Sequence, residues 1–216
     1  MADPDVVRSS YDDLAETYAE HRSTDEPATA VLQEFLAETP APVERVLDAG
    51  CGHGEPVLTR IEETATGVGL DASREMLRLA ARTDARRLAQ GDMTRLPFAT
   101  ESFDAVVAFW SLIHVPLADH PTVIEEFARV LEPGGRVLVC EGSQPWVGEN
   151  PDWLDSGVGM QWAIAGAERT REQLHDAGLT VTEAWGVPET LGEDEDGSDL
   201  GDDDPVWTFL AAELAG

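Results

Sequence analysis

Ten residues, Arg45-Val46-Leu47-Asp48-Ala49-Gly50-Cys51-Gly52-His53-Gly54, constrain this chain more than any others. Val43, Val46 and Leu47 read as a short buried strand, too brief and too β-branched for a helix. Asp48 stands at its C-terminal end, and Gly50, Gly52 and Gly54 follow at alternate positions. Such a turn takes positive φ freely and lets a ligand approach bare backbone. Glu55-Pro56 then opens a helix, where the missing proline N–H costs nothing in the first turn. Strand, glycine turn and helix N-terminus together form the crevice in which open α/β sheets bind nucleotides. The spacing is Gly-x-Gly-x-Gly after Asp-Ala, not the Gly-x-Gly-x-x-Gly that seats a pyrophosphate.

Two further acids stand at matching places. Asp71 ends the strand-like run 66–70, at about the 20-residue offset from Asp48 at which a carboxylate reaches a ribose hydroxyl. Asp92 follows the weak strand 87–90, with the flexible, apolar Met93 beside it, a pair suited to an adenine. The strongest strand pattern, 103–110, is apolar on both faces, as a central parallel strand requires. It delivers Trp110, Ser111 and His114 to the same edge. The remaining pattern predicts helices over 1–42 (Val7, Tyr11, Leu14 and Tyr18 in one; Pro27 opening a second), a helix over 55–63 and one with Met76, Leu77 and Ala80 inward. Asp71 or Ser73 would cap the last of these. Another helix starts at Pro121, strand 136–140 follows a Glu-Pro-Gly-Gly turn, and Thr170-Arg171-Glu172-Gln173 has the form of a capping box. Residues 142–167, with Trp146, Trp153 and Trp162, show no period and read as an insertion.

Val46–Gly54 resembles the first motif of the class I S-adenosylmethionine-dependent methyltransferases. Leu131-Glu132-Pro133-Gly134-Gly135-Arg136-Val137-Leu138 is similar to another landmark of that superfamily, and Tyr11–Tyr18 is similar to the N-terminal lid helix of its small-molecule members. The resemblance implies a Rossmann-like α/β fold: a seven-stranded, mostly parallel sheet with an antiparallel C-terminal hairpin (181–185 and 206–211) and helices on both faces. It implies an N-terminal helical lid at 1–42 and a cofactor-binding core at 43–216, with the 142–167 insertion contributing to the acceptor pocket. S-adenosylmethionine would be held by Asp48, Gly50, Cys51, Gly52 and Gly54 around its methionine part. Asp71 would accept the ribose hydroxyls, Asp92 and Met93 would hold the adenine, and Ala72, Met76 and Phe109 would also contact the cofactor. Tyr18, Arg22, Trp110 and His114 would face the acceptor. His114 is either a general base or a buried histidine bonded to backbone, and the sequence singles out no catalytic residue. Methyl transfer needs little more than in-line positioning in a dry site. The Asn-Pro-Pro-Tyr type signature of base- and glutamine-modifying members is replaced by Phe109-Trp110-Ser111, which favours a small-molecule acceptor.

Charge sets the context. The chain has 43 acidic and 14 basic residues, a net −29, and every basic residue is Arg. Self-repulsion on that scale opposes a compact state unless salt screens it. The composition resembles cytosolic proteins of salt-accumulating halophiles, and it offers no basic stripe for nucleic acid. No run approaches the roughly 18 apolar residues of a membrane span, and the acidic N-terminus is unlike a secretory signal. Cys51 and Cys140 are expected as thiols in a cytoplasmic protein, with no metal set around them. The acidic run 193–204 fails the EF-hand template and reads as a solvated loop, with loose cation binding a lesser option. The rival readings are a cofactor-binding module without catalysis and a nicotinamide-dependent oxidoreductase. The second is disfavoured by the glycine spacing and by the lack of any lysine for a Tyr–Lys pair.

Overall fold

The computed structural model describes residues 2–22, 27–39, 43–83, 87–187 and 207–216. The acidic run 193–204 and Pro40 and Pro42 lie outside these residues. Two helices lead the chain, α1 (Pro4–His21) and α2 (Pro27–Glu38). Asp3 caps α1 by accepting from the Asp5 and Val6 backbone N–H groups at 3.0 and 3.4 Å. Strands β1 (Arg45–Ala49), β2 (Thr66–Asp71), β3 (Leu88–Gln90), β4 (Phe103–Ala108) and β5 (Leu131–Gly142) then run parallel. Between them lie α3 (Val57–Glu62), α4 (Arg74–Ala80) and α5 (His120–Val130). Strands β6 (Trp146–Asn150) and β7 (Met160–Ile164) form a separate antiparallel pair. After α6 (Ala167–Asp176), strands β8 (Leu179–Val187) and β9 (Trp207–Leu214) pair antiparallel, and β9 lies antiparallel to β5.

The seven-stranded order is β3-β2-β1-β4-β5-β9-β8, mostly parallel with an antiparallel C-terminal pair, as expected. The chain builds outward from β1 to β3 and then returns to β4, so the loops after β1 and β4 diverge and leave a crevice at their C-terminal ends. Period-2 alternation buries both faces of the sheet. Leu47, Val106, Val137 and Leu210 join α5 and α6 in one core, and Val46, Val107, Leu138 and Phe209 join α2 and α3 in the other. No described helix is long and apolar enough to cross a membrane.

Several local expectations are corrected. Helix α3 starts at Val57 with Pro56 as its N-cap, shorter than the 55–63 span. In α4 the buried residues are Met76, Leu79 and Ala80, because Met76 and Leu79 pack in one cluster with Val7, Leu14 and Ala15 of α1, leaving Leu77 half-buried. Ser73, not Asp71, supplies the cap, its hydroxyl accepting from Met76 N at 3.1 Å. Thr170 is not an N-cap. Helix α6 begins at Ala167 after Gly166, whose φ is 86°, and Thr170 is buried in the first turn with its hydroxyl 3.4 Å from Glu141 Oε2. The buried Glu141 carboxyl accepts from the Ala165 and Gly166 backbone ahead of the helix, and burial pushes its pKa up to about 7. Strand β4 stops at Ala108, with Trp110 at φ 46° in the bend that follows. The insertion is the β6–β7 ribbon, held by Trp146 against Trp162.

Candidate functional site

The glycine turn is tied to the end of β2. Gly50 N and Cys51 N both donate to the Leu70 carbonyl, at 2.7 and 2.9 Å. Asp71 receives Gly52 N on one oxygen and Ser73 N on the other, each at 2.8 Å, so a single carboxylate fixes both the turn and the start of α4. Gly50 has φ 81°, and a Cβ built there would lie 2.3 Å from Ser111 Cβ. Gly52 has φ 53°, and a Cβ there would meet nothing within 4 Å, because it would project into open space. Gly54, at φ 89°, backs onto Ala80 and Thr83 and lines neither of the cavities described next, so it shapes the turn from behind.

A cavity of about 250 Å³ opens at the C-terminal ends of the strands. Of the residues singled out from sequence, Gly50, Gly52, Asp71, Ala72, Met76, Asp92, Met93, Phe109, Tyr18, Trp110 and His114 line it. A smaller recess of about 30 Å³ adjoins it and is lined by Asp48, Cys51 and Arg22, sharing Tyr18, Gly50, Gly52 and Phe109 with the larger space. Asp48, Asp71 and Asp92 therefore stand on one rim. Asp92 holds Thr94 through its N–H and hydroxyl, at 2.7 and 2.8 Å, and so caps the short helical turn 93–95.

The electrostatics are unusual. Asp48 is buried, and its Oδ2 has no hydrogen-bond partner among the described residues. Burial, helped by the neighbouring Asp71, raises its pKa to about 8. Burial also raises Asp71 to about 6, against the pull of its backbone donors. Burial pushes the Cys51 thiol well up, so it is not a reactive thiolate. The Arg22 guanidinium stacks 4.0 Å from the Trp110 ring centroid and 6.0 Å from that of Tyr18, closing the recess. A pyrophosphate placed on this turn would face Asp48 and Asp71, whereas a cationic amine would supply the donor that Asp48 Oδ2 lacks. The residues thus fit an amino-acid-bearing nucleoside.

Sequence reasoning missed part of the wall. Pro4, Val7, Arg8 and Tyr11 of α1 line the cavity, and His53 lines the recess, its pKa lowered to about 4 chiefly by burial. The helical stripe Val7, Tyr11, Leu14, Tyr18 reads as core, and the same stripe forms cavity wall where no other element covers it. Asp12 fixes α1 in place by accepting from Ser73 Oγ at 2.7 Å and Glu75 N at 3.2 Å. His114 is buried, with Nδ1 2.9 Å from the Gln161 carbonyl and Nε2 2.9 Å from the Tyr11 hydroxyl. The β6–β7 insertion stands behind this wall: Gln161 holds His114, Trp162 packs on His114, and Trp153 packs on Tyr11 and Tyr18.

Residues 47–139 match the family model of a methyltransferase domain. A demethylmenaquinone methyltransferase of Mycobacterium sp. (strain KMS) is 45% identical over 107 residues, which are 48% of this chain and 44% of that protein. The chain thus matches less than half the length of that relative. Magnesium protoporphyrin IX methyltransferase from Synechocystis PCC 6803, solved with bound S-adenosylmethionine, superposes with a TM-score of 0.72 at 16% identity, covering 100% of this chain and 98% of that one. The [4+2]-cyclase SpnF superposes with a TM-score of 0.71 at 20% identity, covering 97% and 95%. The fold is that of the S-adenosylmethionine-dependent methyltransferases.

Proposed function

We propose that this chain, with its methyltransferase domain at residues 47–139 and that fold, is a class I S-adenosylmethionine-dependent methyltransferase acting on a small molecule. The observation that carries the reading is the buried Asp48 carboxyl, without a partner on Oδ2 among the described residues and set beside a recess contiguous with the Asp71–Asp92 rim. In this reading Asp48 and the Gly50–Gly52 backbone hold the amino-acid end of the cofactor. Asp71 takes the ribose hydroxyls, with Ala72 and Met76 beside it. Asp92 and Met93 hold the adenine, and Phe109 packs against the cofactor. The cofactor supplies an electrophilic methyl group on a sulfonium. Tyr18, Trp110 and Arg22 close the cavity from the acceptor side, exclude water and hold the acceptor in line. The helical segment 1–42 acts as the lid and 43–216 as the core.

The net charge of −29 and the absence of lysine support a cytoplasmic setting of molar salt, so the first test belongs there. Calorimetric titration in molar KCl is expected to show saturable binding of S-adenosylmethionine and S-adenosylhomocysteine and none of NAD. NAD binding would overturn the reading. Asp71→Ala is expected to weaken S-adenosylhomocysteine roughly 10- to 100-fold, the scale of charge-assisted hydrogen bonds. Unchanged affinity would remove Asp71 from the site. A second reading is a cofactor-binding protein without methyl transfer, favoured by the SpnF superposition, since the same fold carries a cyclase. Tight cofactor binding with no S-adenosylhomocysteine release over a wide panel of alcohols, phenols and amines would support it.

A further inference from the structure

The hydrogen-bond polarity of the Tyr11–His114 pair is fixed by a third group. A backbone carbonyl only accepts, so His114 Nδ1, 2.9 Å from the Gln161 oxygen, carries the proton. Burial holds His114 well below the ordinary histidine range, at about 4, so near neutrality the ring is uncharged and Nε2 has only a lone pair. The Tyr11 hydroxyl, 2.9 Å away, must then donate to it. Burial also holds the Tyr11 pKa well above its ordinary value, so the phenol keeps its proton. Both residues line the cavity. With its single proton committed to His114, the Tyr11 oxygen offers lone pairs alone to whatever fills the space.

We propose that Tyr11, its proton held by His114, is an obligate hydrogen-bond acceptor in the acceptor pocket and selects molecules that present an O–H or N–H on a flat apolar framework. This rests on the reading of the cavity as a methyltransferase site. The flat framework follows from the surrounding walls, Tyr18 and Trp110, which offer rings. His114 acts through Tyr11 and is a positioning residue, and Gln161 is what fixes its tautomer.

The test uses 2-naphthol and its methyl ether, 2-methoxynaphthalene, titrated into the full chain saturated with S-adenosylhomocysteine. The wild type is expected to bind the naphthol roughly three- to tenfold more tightly than the ether, the worth of one neutral hydrogen bond. Tyr11→Phe should bind the two equally while retaining its affinity for S-adenosylhomocysteine. His114→Phe, which frees the Tyr11 proton to point into the cavity, should shift the preference toward the ether; a purely structural role for His114 would weaken both probes alike. Nitrogen NMR of the wild type should show His114 as the Nδ1–H tautomer at neutral pH. Equal binding of the two probes by the wild type, a preference surviving in Tyr11→Phe, no saturable binding of 2-naphthol, or the Nε2–H tautomer would each overturn the proposal. S-adenosylhomocysteine affinity, measured in the same samples, separates these failures from failure of the cofactor assignment.

Discussion

Asp48→Asn is expected to make the ligand-free protein more stable at pH 8 and, at the same time, to weaken its hold on the cofactor. The folded protein keeps a proton on Asp48 up to about pH 8, whereas an ordinary aspartate releases it near 3.8. Between those values the unfolded chain binds fewer protons than the folded one. Stability from this group is therefore complete below about pH 4 and is lost as pH rises through 8. Asp71, with its pKa at about 6, adds a loss in the lower half of the same window. Asparagine keeps the shape and removes the charge, so the variant should show a flatter stability profile between pH 6 and 8. At pH 8 the gain should be on the order of a few kcal/mol, since each tenfold change in proton affinity corresponds to about 1.4 kcal/mol. Cofactor binding should respond in the opposite sense. A cationic amine in the recess favours the ionised carboxylate, so wild-type affinity should climb with pH toward 8, and that climb should vanish in the variant. Scanning calorimetry with and without S-adenosylhomocysteine, in molar KCl to screen the surface acids, reads both effects. Parallel stability profiles for wild type and variant would show that Asp48 is ionised throughout and has a partner in solution.

The part of the site legible in sequence is the part built from short local patterns. Asp48, Asp71 and Asp92 each end a strand, and parallel strands in one sheet deliver their ends to one edge, so three separate spacings converge on one rim. The fold followed in the same way, because an apolar run such as 103–108 has few stable places other than the centre of a parallel sheet. What escaped depends on contacts between distant segments. Tyr11 has the periodicity of a core residue, and only the packing of α1 over the strand ends turns it toward a cavity. The tautomer of His114 depends on Gln161, 47 residues away, in an insertion without detectable period. Thr170 looks like a helix cap, but the helix starts three residues earlier and the Thr170 hydroxyl turns to buried Glu141 on β5, which no local window contains. Gly54 belongs to the motif yet faces α4, where an added Cβ would meet Ala80 at 3.4 Å.

Gly50→Ala should be strongly damaging, and Gly52→Ala its instructive counterpart. At Gly50 the added Cβ would sit 2.3 Å from Ser111 Cβ, with φ at 81°, where L-residues are strained. Ser111 cannot simply withdraw, since its hydroxyl donates to the Ala49 carbonyl at 2.7 Å. The turn must shift, breaking the bonds of Gly50 and Cys51 to Leu70, so a loss of about 3 kcal/mol or more is expected together with loss of cofactor binding. At Gly52 the new methyl meets nothing within 4 Å, and φ 53° lies in the left-handed region that other residues occupy at modest cost. That variant should lose only about 1 kcal/mol of stability, the scale of a single left-handed residue. It should nevertheless bind S-adenosylhomocysteine much more weakly, because the methyl projects into the floor of the cavity. The double variant Gly50→Ala with Ser111→Gly removes the clash but not the backbone strain, and should recover part of the stability. Chemical denaturation of the three variants separates overlap from strain, and cofactor titration separates both from occupancy of the site. If Gly52→Ala bound the cofactor as the wild type does, the ligand would not approach the turn closely, and the assignment of the glycines to its amino-acid end would fall.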